Sequence, residues 1–135
     1  MRFKTLAVAL AVTLVLGVSA QAKELRYAFQ GDANSMDPYN LNETFTLGYL
    51  GNIYEALTRR APDLTIEPSL ATSWEVIEPK RWRFHLRRGV KFHDGRDFTA
   101  DDVLFSAERV LMETSDLKAR LDTVIDVIKV DDYTV

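Results

Sequence analysis

The chain has 135 residues, with 17 lysines and arginines against 20 aspartates and glutamates, two histidines and no cysteine. The missing cysteine excludes disulfides and the lipid attachment that a bacterial lipoprotein makes through a cysteine. The net charge of −3 argues against a nucleic-acid partner, which favours a basic face.

Residues 1–22, MRFKTLAVALAVTLVLGVSAQA, have the three-part layout of a secretory signal peptide. Arg2 and Lys4 form a basic start, and an apolar run from Leu6 to Val18 is broken only by Thr13 and Gly17. Small residues at Ala20 and Ala22 then predict cleavage after Ala22. The apolar run is well short of the roughly 20 residues that span a bilayer, which disfavours a membrane anchor. Without Arg2 and Lys4 the balance is 15 basic against 20 acidic side chains, a net of −5. A secreted chain lacking disulfides depends on a sizeable core.

From Leu25 to Phe29 the residues alternate apolar and polar, which predicts a short strand ended by Gly31. GDANSMDP, from Gly31 to Pro38, is a loop of turn formers. Asn42 or Thr44 is placed to cap a following helix, in which Leu50, Ile53, Tyr54 and Leu57 fall on one stripe. Strand, loop and helix in that order begin an α/β unit. The loop carries no G-x-G-x-x-G, so nothing suggests a dinucleotide site. Arg59 to Glu67, with Pro62 inside and Pro68 next to it, reads as a linker.

Ala71 to Val76 predicts a strand with Trp74 and Val76 on one side. RWRFHLRR is the cleanest alternation in the chain: Trp82, Phe84 and Leu86 point one way, and Arg81, Arg83, His85 and Arg87 the other. That is a half-exposed strand of an antiparallel sheet, and its basic face reads as solvated rather than as an anion site. Val90 and Phe92 predict another short strand after a turn at Gly89.

KFHDGRDFTADDV, from Lys91 to Val103, holds one of the two histidines and several carboxylates, so it raises the question of chemistry. Each residue also has a local structural use. Asp94-Gly95 is a tight-turn dipeptide. Thr99 is placed as a helix N-cap with Asp102 three residues on, and Phe98 and Val103 are placed as a hydrophobic staple. Asp101 and Asp102 favour the helix dipole by about 0.3–1 kcal/mol each. Val103, Leu104, Ala107, Val110 and Leu111 then form the buried side of that helix. A metal site would need more ligands than the two histidines and their neighbours supply, so a secreted hydrolase using His93 and Asp94 is only the alternative reading. At the end, Val124 to Val130 predicts a strand, Asp131-Asp132 a turn, and Tyr133 to Val135 the start of a second arm. An arm of three residues has few ladder bonds, so the sequence reads as the N-terminal piece of a longer chain.

The residues from Pro68 to Val110 carry a family resemblance. Leu-Ala-x-Ser-Trp, a W-x-F-x-L strand, a G-V-x-F-x-D-G turn and T-A-D-D-V opening a helix are together similar to the N-terminal signature of the family 5 extracytoplasmic solute-binding proteins. LRYAFQGDANSMDPYN and VIKVDDYTV also fit. The resemblance implies the α/β fold of a two-lobed periplasmic binding protein. Residues 23–135 would supply the N-terminal portion of lobe one: its first strand-helix unit and a small antiparallel α+β subdomain. It implies no enzyme activity and no cofactor. It implies a periplasmic receptor, monomeric when complete, that captures peptides or similar small solutes and hands them to an ABC permease in the inner membrane. Ligands of open α/β folds sit beyond the carboxyl ends of strands, which here is the loop after the first strand. Asn34, Ser35, Met36, Asp37 and Tyr39 are therefore the candidate ligand-binding residues. Asp32 or Asp37 would meet a ligand amine, and the opposing reading is that Asn34 and Asp37-Pro38 only form the turn.

Overall fold

The computed structural model describes Glu24, Arg26 and residues 28–135. The predicted signal peptide, 1–22, lies outside the described residues, and so do Leu25 and Tyr27 of the predicted first strand. The described residues of that stretch, Arg26, Ala28 and Phe29, are exposed and lie in no strand, which corrects the expectation. In the unit Met1–Gln30, Glu24 and Arg26 form an exposed ion pair at 3.1 Å. Among the described residues, the unit Gly31–Val135 carries the regular elements α1 (Thr44–Leu50), β1 (Thr58–Arg60), β2 (Ile66–Pro68), β3 (Ala71–Glu78), β4 (Arg81–Leu86) and α2 (Ala100–Leu111). A 3₁₀ turn follows at Lys118–Arg120.

The helix α1 is shorter than its apolar stripe predicts. Its N-cap is Glu43, not Asn42 or Thr44, and the Glu43 carboxylate accepts a hydrogen bond from the buried Thr46 hydroxyl at 3.1 Å. It ends at Leu50, so Ile53, Tyr54 and Leu57 do not continue it. Gly48 and Gly51 are poor helix formers. The Asn52 side chain also donates to the carbonyls of Gly48 and Tyr49 at 3.1 and 3.2 Å, capping the final turn.

The predicted linker from Arg59 to Glu67 is instead a β-hairpin, with β1 and β2 paired antiparallel from Thr58↔Pro68 to Arg60↔Ile66. Its turn is closed by the Ala61 N–H on the Thr65 carbonyl at 2.9 Å. The Asp63 carboxylate accepts from both the backbone and the hydroxyl of Thr65 at 3.1 and 2.6 Å. Pro62 sits in this turn, where its missing N–H costs nothing, and Leu64 takes φ +70°. Turn formers that read as a linker are here the bend of a hairpin.

The strands β3 and β4 form the second antiparallel sheet, with Ala71↔Leu86, Trp74↔Phe84 and Val76↔Trp82 as partners. Pro79-Lys80 makes the two-residue turn, and Lys80 takes the positive φ of +74° that this turn requires. The alternation read from RWRFHLRR holds, but burial rises along it: Trp82 is exposed, Phe84 half-buried and Leu86 buried. The basic face is paired with acids. Glu75 faces Arg83 and His85 at 4.0 and 3.6 Å, and Glu55 binds Arg87 at 2.7 Å.

Two further expectations need correction. Val90 to Phe92 forms no strand, only a bridge between Lys91 and Asp97 around the Asp94-Gly95 turn. Val124 to Val130 is irregular, and the predicted second arm meets it only at its end, where the Thr134 carbonyl accepts the Val130 N–H at 2.9 Å across the Asp131-Asp132 turn. Instead these last residues lie along the free edge of β4. Leu86 N–H donates to the Tyr133 carbonyl at 2.8 Å, and Phe84 and Val135 exchange both backbone bonds at 2.8 and 3.1 Å. The non-local edge wins because it buries Tyr133 and Val135 against the core of Leu86, Phe98 and Ala100, which the exposed Val124–Ile128 stretch does not.

The start of α2 is as predicted. Thr99 and Asp102 form a capping box, in which the Asp102 carboxylate accepts the Thr99 N–H at 2.8 Å. Phe98 is buried and Val103 packs on the same cluster. Ala100 N–H donates to the Asp132 carbonyl at 2.9 Å, which ties the helix start to the last turn. Farther along, the predicted buried side is only half-covered: Val103, Leu104, Ala107 and Val110 are half-buried, whereas Leu111 is exposed, as is Phe105.

Candidate functional site

The five candidate residues lie on the segment that leads into α1. Asp32 is used locally: its carboxylate accepts the Ala33 N–H at 2.8 Å. Asn34 is exposed, Ser35 half-buried and Met36 exposed. The Ser35 hydroxyl accepts the Asp37 N–H at 3.1 Å, and Asp37 Oδ1 accepts the Tyr39 N–H at 2.9 Å. Two successive side-chain turns therefore shape the loop, as its turn-forming composition predicts.

Long-range contacts then hold that shape. The Met36 carbonyl accepts the Tyr54 hydroxyl at 3.1 Å. The Tyr39 carbonyl accepts the Asp116 N–H at 2.9 Å and the Ser115 hydroxyl at 3.4 Å. Arg109 of α2 donates Nη2 to Asp37 Oδ2 at 2.6 Å, and its guanidinium lies 5.4 Å from the Tyr39 ring centroid, within cation-π range. Sequence reasoning missed Tyr54, Arg109, Ser115 and Asp116. Nothing in a linear sequence marks a pair 72 positions apart such as Asp37 and Arg109.

The His93 cluster is arranged otherwise. His93 is exposed, and the Asp94 carboxylate accepts both the backbone and the Nε of Arg96 at 3.0 and 2.8 Å. That engagement by Arg96 holds the Asp94 carboxyl below the usual carboxylate range. Among the described residues no three histidine, aspartate or glutamate side chains are grouped to hold a metal ion. A groove of about 110 Å³ lies between α2 and residues 121–127, where the carboxylates of Glu108 and Asp126 stand among apolar side chains such as Leu104, Leu111, Leu121 and Val124. It is smaller than the roughly 300–1,000 Å³ of ordinary ligand sites. Among the described residues no helix is long and apolar enough to cross a membrane.

Residues 65–135 match the family described as bacterial extracellular solute-binding proteins, family 5. The chain belongs to that family. Its members bind solutes and are not enzymes, which sets aside the hydrolase reading of His93 and Asp94. The family 5 match takes in the antiparallel sheet, the Asp94-Gly95 turn and α2, whose sequence signals carried the resemblance. The chain is 35% identical over 120 residues to a di/tripeptide-binding protein of Pseudomonas aeruginosa, covering 82% of this chain and 22% of that one. It is 36% identical over 111 residues to the dipeptide-binding protein of Escherichia coli, covering 73% and 20%. Among solved structures it is similar to the oligopeptide-binding protein AppA of Bacillus subtilis in complex with a nonapeptide. There the TM-score is 0.64 at 27% identity, covering 71% of this chain and 19% of that one. The chain thus spans about a fifth of the length of these relatives. The likeness bears out the α/β fold class with a small antiparallel part.

Proposed function

We propose that this chain is the N-terminal portion of lobe one of a two-lobed periplasmic receptor that serves an ABC importer. The receptor captures di- and tripeptides or similar small solutes and delivers them to the permease in the inner membrane. It works as a monomer, without a cofactor and without turnover. Residues 1–22 are a signal peptide that is cleaved on export. The loop holding Asn34, Ser35, Met36, Asp37 and Tyr39 is this chain's share of the ligand wall, and the second lobe closes over it. The observation that carries the reading is the 35–36% identity to two peptide-binding proteins across 73–82% of the chain.

The loop suits a peptide main chain. It offers the exposed Asn34 amide and the exposed Met36 side chain, and its frame is held by Tyr54 and Arg109. A pre-shaped wall lowers the ordering cost of binding. Calorimetry of the complete protein with dialanine and trialanine tests the proposal. Saturable one-to-one binding with both peptides recovered intact is expected. Absence of binding heat with these and longer peptides, or their hydrolysis, would defeat it.

A further inference from the structure

The most buried ion pair among the described residues is not in the antiparallel sheet. It joins Asp37 to Arg109, with side-chain exposures of 33% and 19% and a contact of 2.6 Å. We infer that Arg109 is a positioning residue of the loop 31–39, and that the charge of Asp37 is committed to Arg109 and not to a ligand's ammonium group. The inference rests on the reading of this loop as part of the ligand wall.

Both oxygens of Asp37 have work inside the chain. Oδ1 accepts the Tyr39 N–H at 2.9 Å and Oδ2 accepts Arg109 Nη2 at 2.6 Å. An ammonium drawn to this carboxylate would meet the guanidinium at almost the same distance, and in a half-buried place that like charge cancels the attraction. Arg109 meanwhile grips more than the carboxylate. Its guanidinium lies over the Tyr39 ring at 5.4 Å, and Nη1 reaches the Thr114 hydroxyl at 3.4 Å. The next residues, Ser115 and Asp116, hold the Tyr39 carbonyl from the other side. One planar fork therefore ties the turn Asp37–Tyr39 to the end of α2 and to the segment after it. A lysine supplies the charge but not the fork or the flat face.

Hydrogen exchange and calorimetry on the complete protein test this together. Arg109→Met is expected to speed exchange of the Tyr39 and Asp116 amides by about ten-fold and to weaken dialanine and trialanine binding by about ten-fold, the scale of a lost charged hydrogen bond. Arg109→Lys, the milder variant should Arg109→Met fold poorly, falls between. Asp37→Asn keeps an acceptor for the Tyr39 N–H and loses the ion pair, so it should match Arg109→Met. The double variant should be no weaker than either single one, because both remove the same interaction. Unchanged exchange in both arginine variants overturns the inference, and so does faster exchange with unchanged affinity. Additive losses from the two substitutions would make Asp37 a direct ligand contact and overturn it as well. Should the unaltered protein bind neither peptide, the receptor reading fails instead, and the exchange rates of the single and double variants still decide the part of Arg109.

Discussion

Thr99 shows how much a single residue can reveal. Its cap was legible because every participant lies within four positions: Phe98 before it, Asp102 accepting its N–H at 2.8 Å, and Val103 on the core. Thr99→Ala is expected to cost about 0.5–2 kcal/mol in denaturant unfolding, while His93→Ala, at an exposed position of the turn, should leave stability and ligand binding unchanged. Gly95 is equally local. It takes φ +89°, so Gly95→Ala should lose about 1 kcal/mol although open space surrounds the position. Glu55 was not legible, because its partners are distant: the Arg87 guanidinium, foremost, and the Ser69 hydroxyl hold its carboxyl below the ordinary 4.5. A carboxyl lowered on folding contributes stability that is fully present above its unfolded value and fades as pH falls through its folded value. Glu55→Gln should therefore unfold in urea with a shallower dependence on pH between roughly pH 5 and 3. A profile parallel to that of the unaltered protein would show that the pair with Arg87 contributes nothing.

Elements were legible where the apolar period is unbroken and a turn bounds it. Trp82, Phe84 and Leu86 alternate, and β4 forms with them on one face. The end of α1 was not, because Leu50, Ile53, Tyr54 and Leu57 keep a 3.6-residue period past the point where Gly51 and Asn52 stop the helix. Pro62 and Pro68 mark a break in the pattern but not the strands beside it, since three-residue arms carry little pattern. The last strand failed for a different reason. The Asp131-Asp132 turn is local, whereas the choice of β4 over Val124–Val130 is decided by an edge about 50 residues away and by the packing of Tyr133 on the core. The ring of Tyr133 also lies 4.1 Å from the Arg88 guanidinium. Tyr133→Ala should thus cost about 2 kcal/mol, as truncation of a half-buried aromatic does, and should raise amide exchange at Leu86 and Phe84. Protection at those two amides that survives the substitution would show that the backbone ladder alone holds this edge.

At the scale of the molecule, the candidate loop could be located from the sequence only by analogy with other α/β folds, and the residues that shape it emerged from contacts spanning 18 to 77 positions. Exposed apolar side chains are numerous, among them Phe105, Ile125, Ile128 and Trp82. Surfaces of this kind are ordinarily covered by partner elements. With the chain spanning about a fifth of its peptide-binding relatives, residues 23–135 expressed alone should aggregate readily. They should bind no dialanine or trialanine at micromolar concentration, because one loop does not enclose the 70–90% of a small ligand that real sites bury. Export is a separate expectation: the intact mass of the secreted protein should lack residues 1–22, and a species that retains Met1 and stays in the cytoplasm would contradict it. The central claim is capture of a solute without turnover. Its most direct test is calorimetric titration of the complete protein with dialanine and trialanine, followed by chromatography of the peptides. Saturation at one peptide per protein is expected, with the peptides recovered intact; no saturable heat, or peptides returned as free alanine, would rule out capture without turnover.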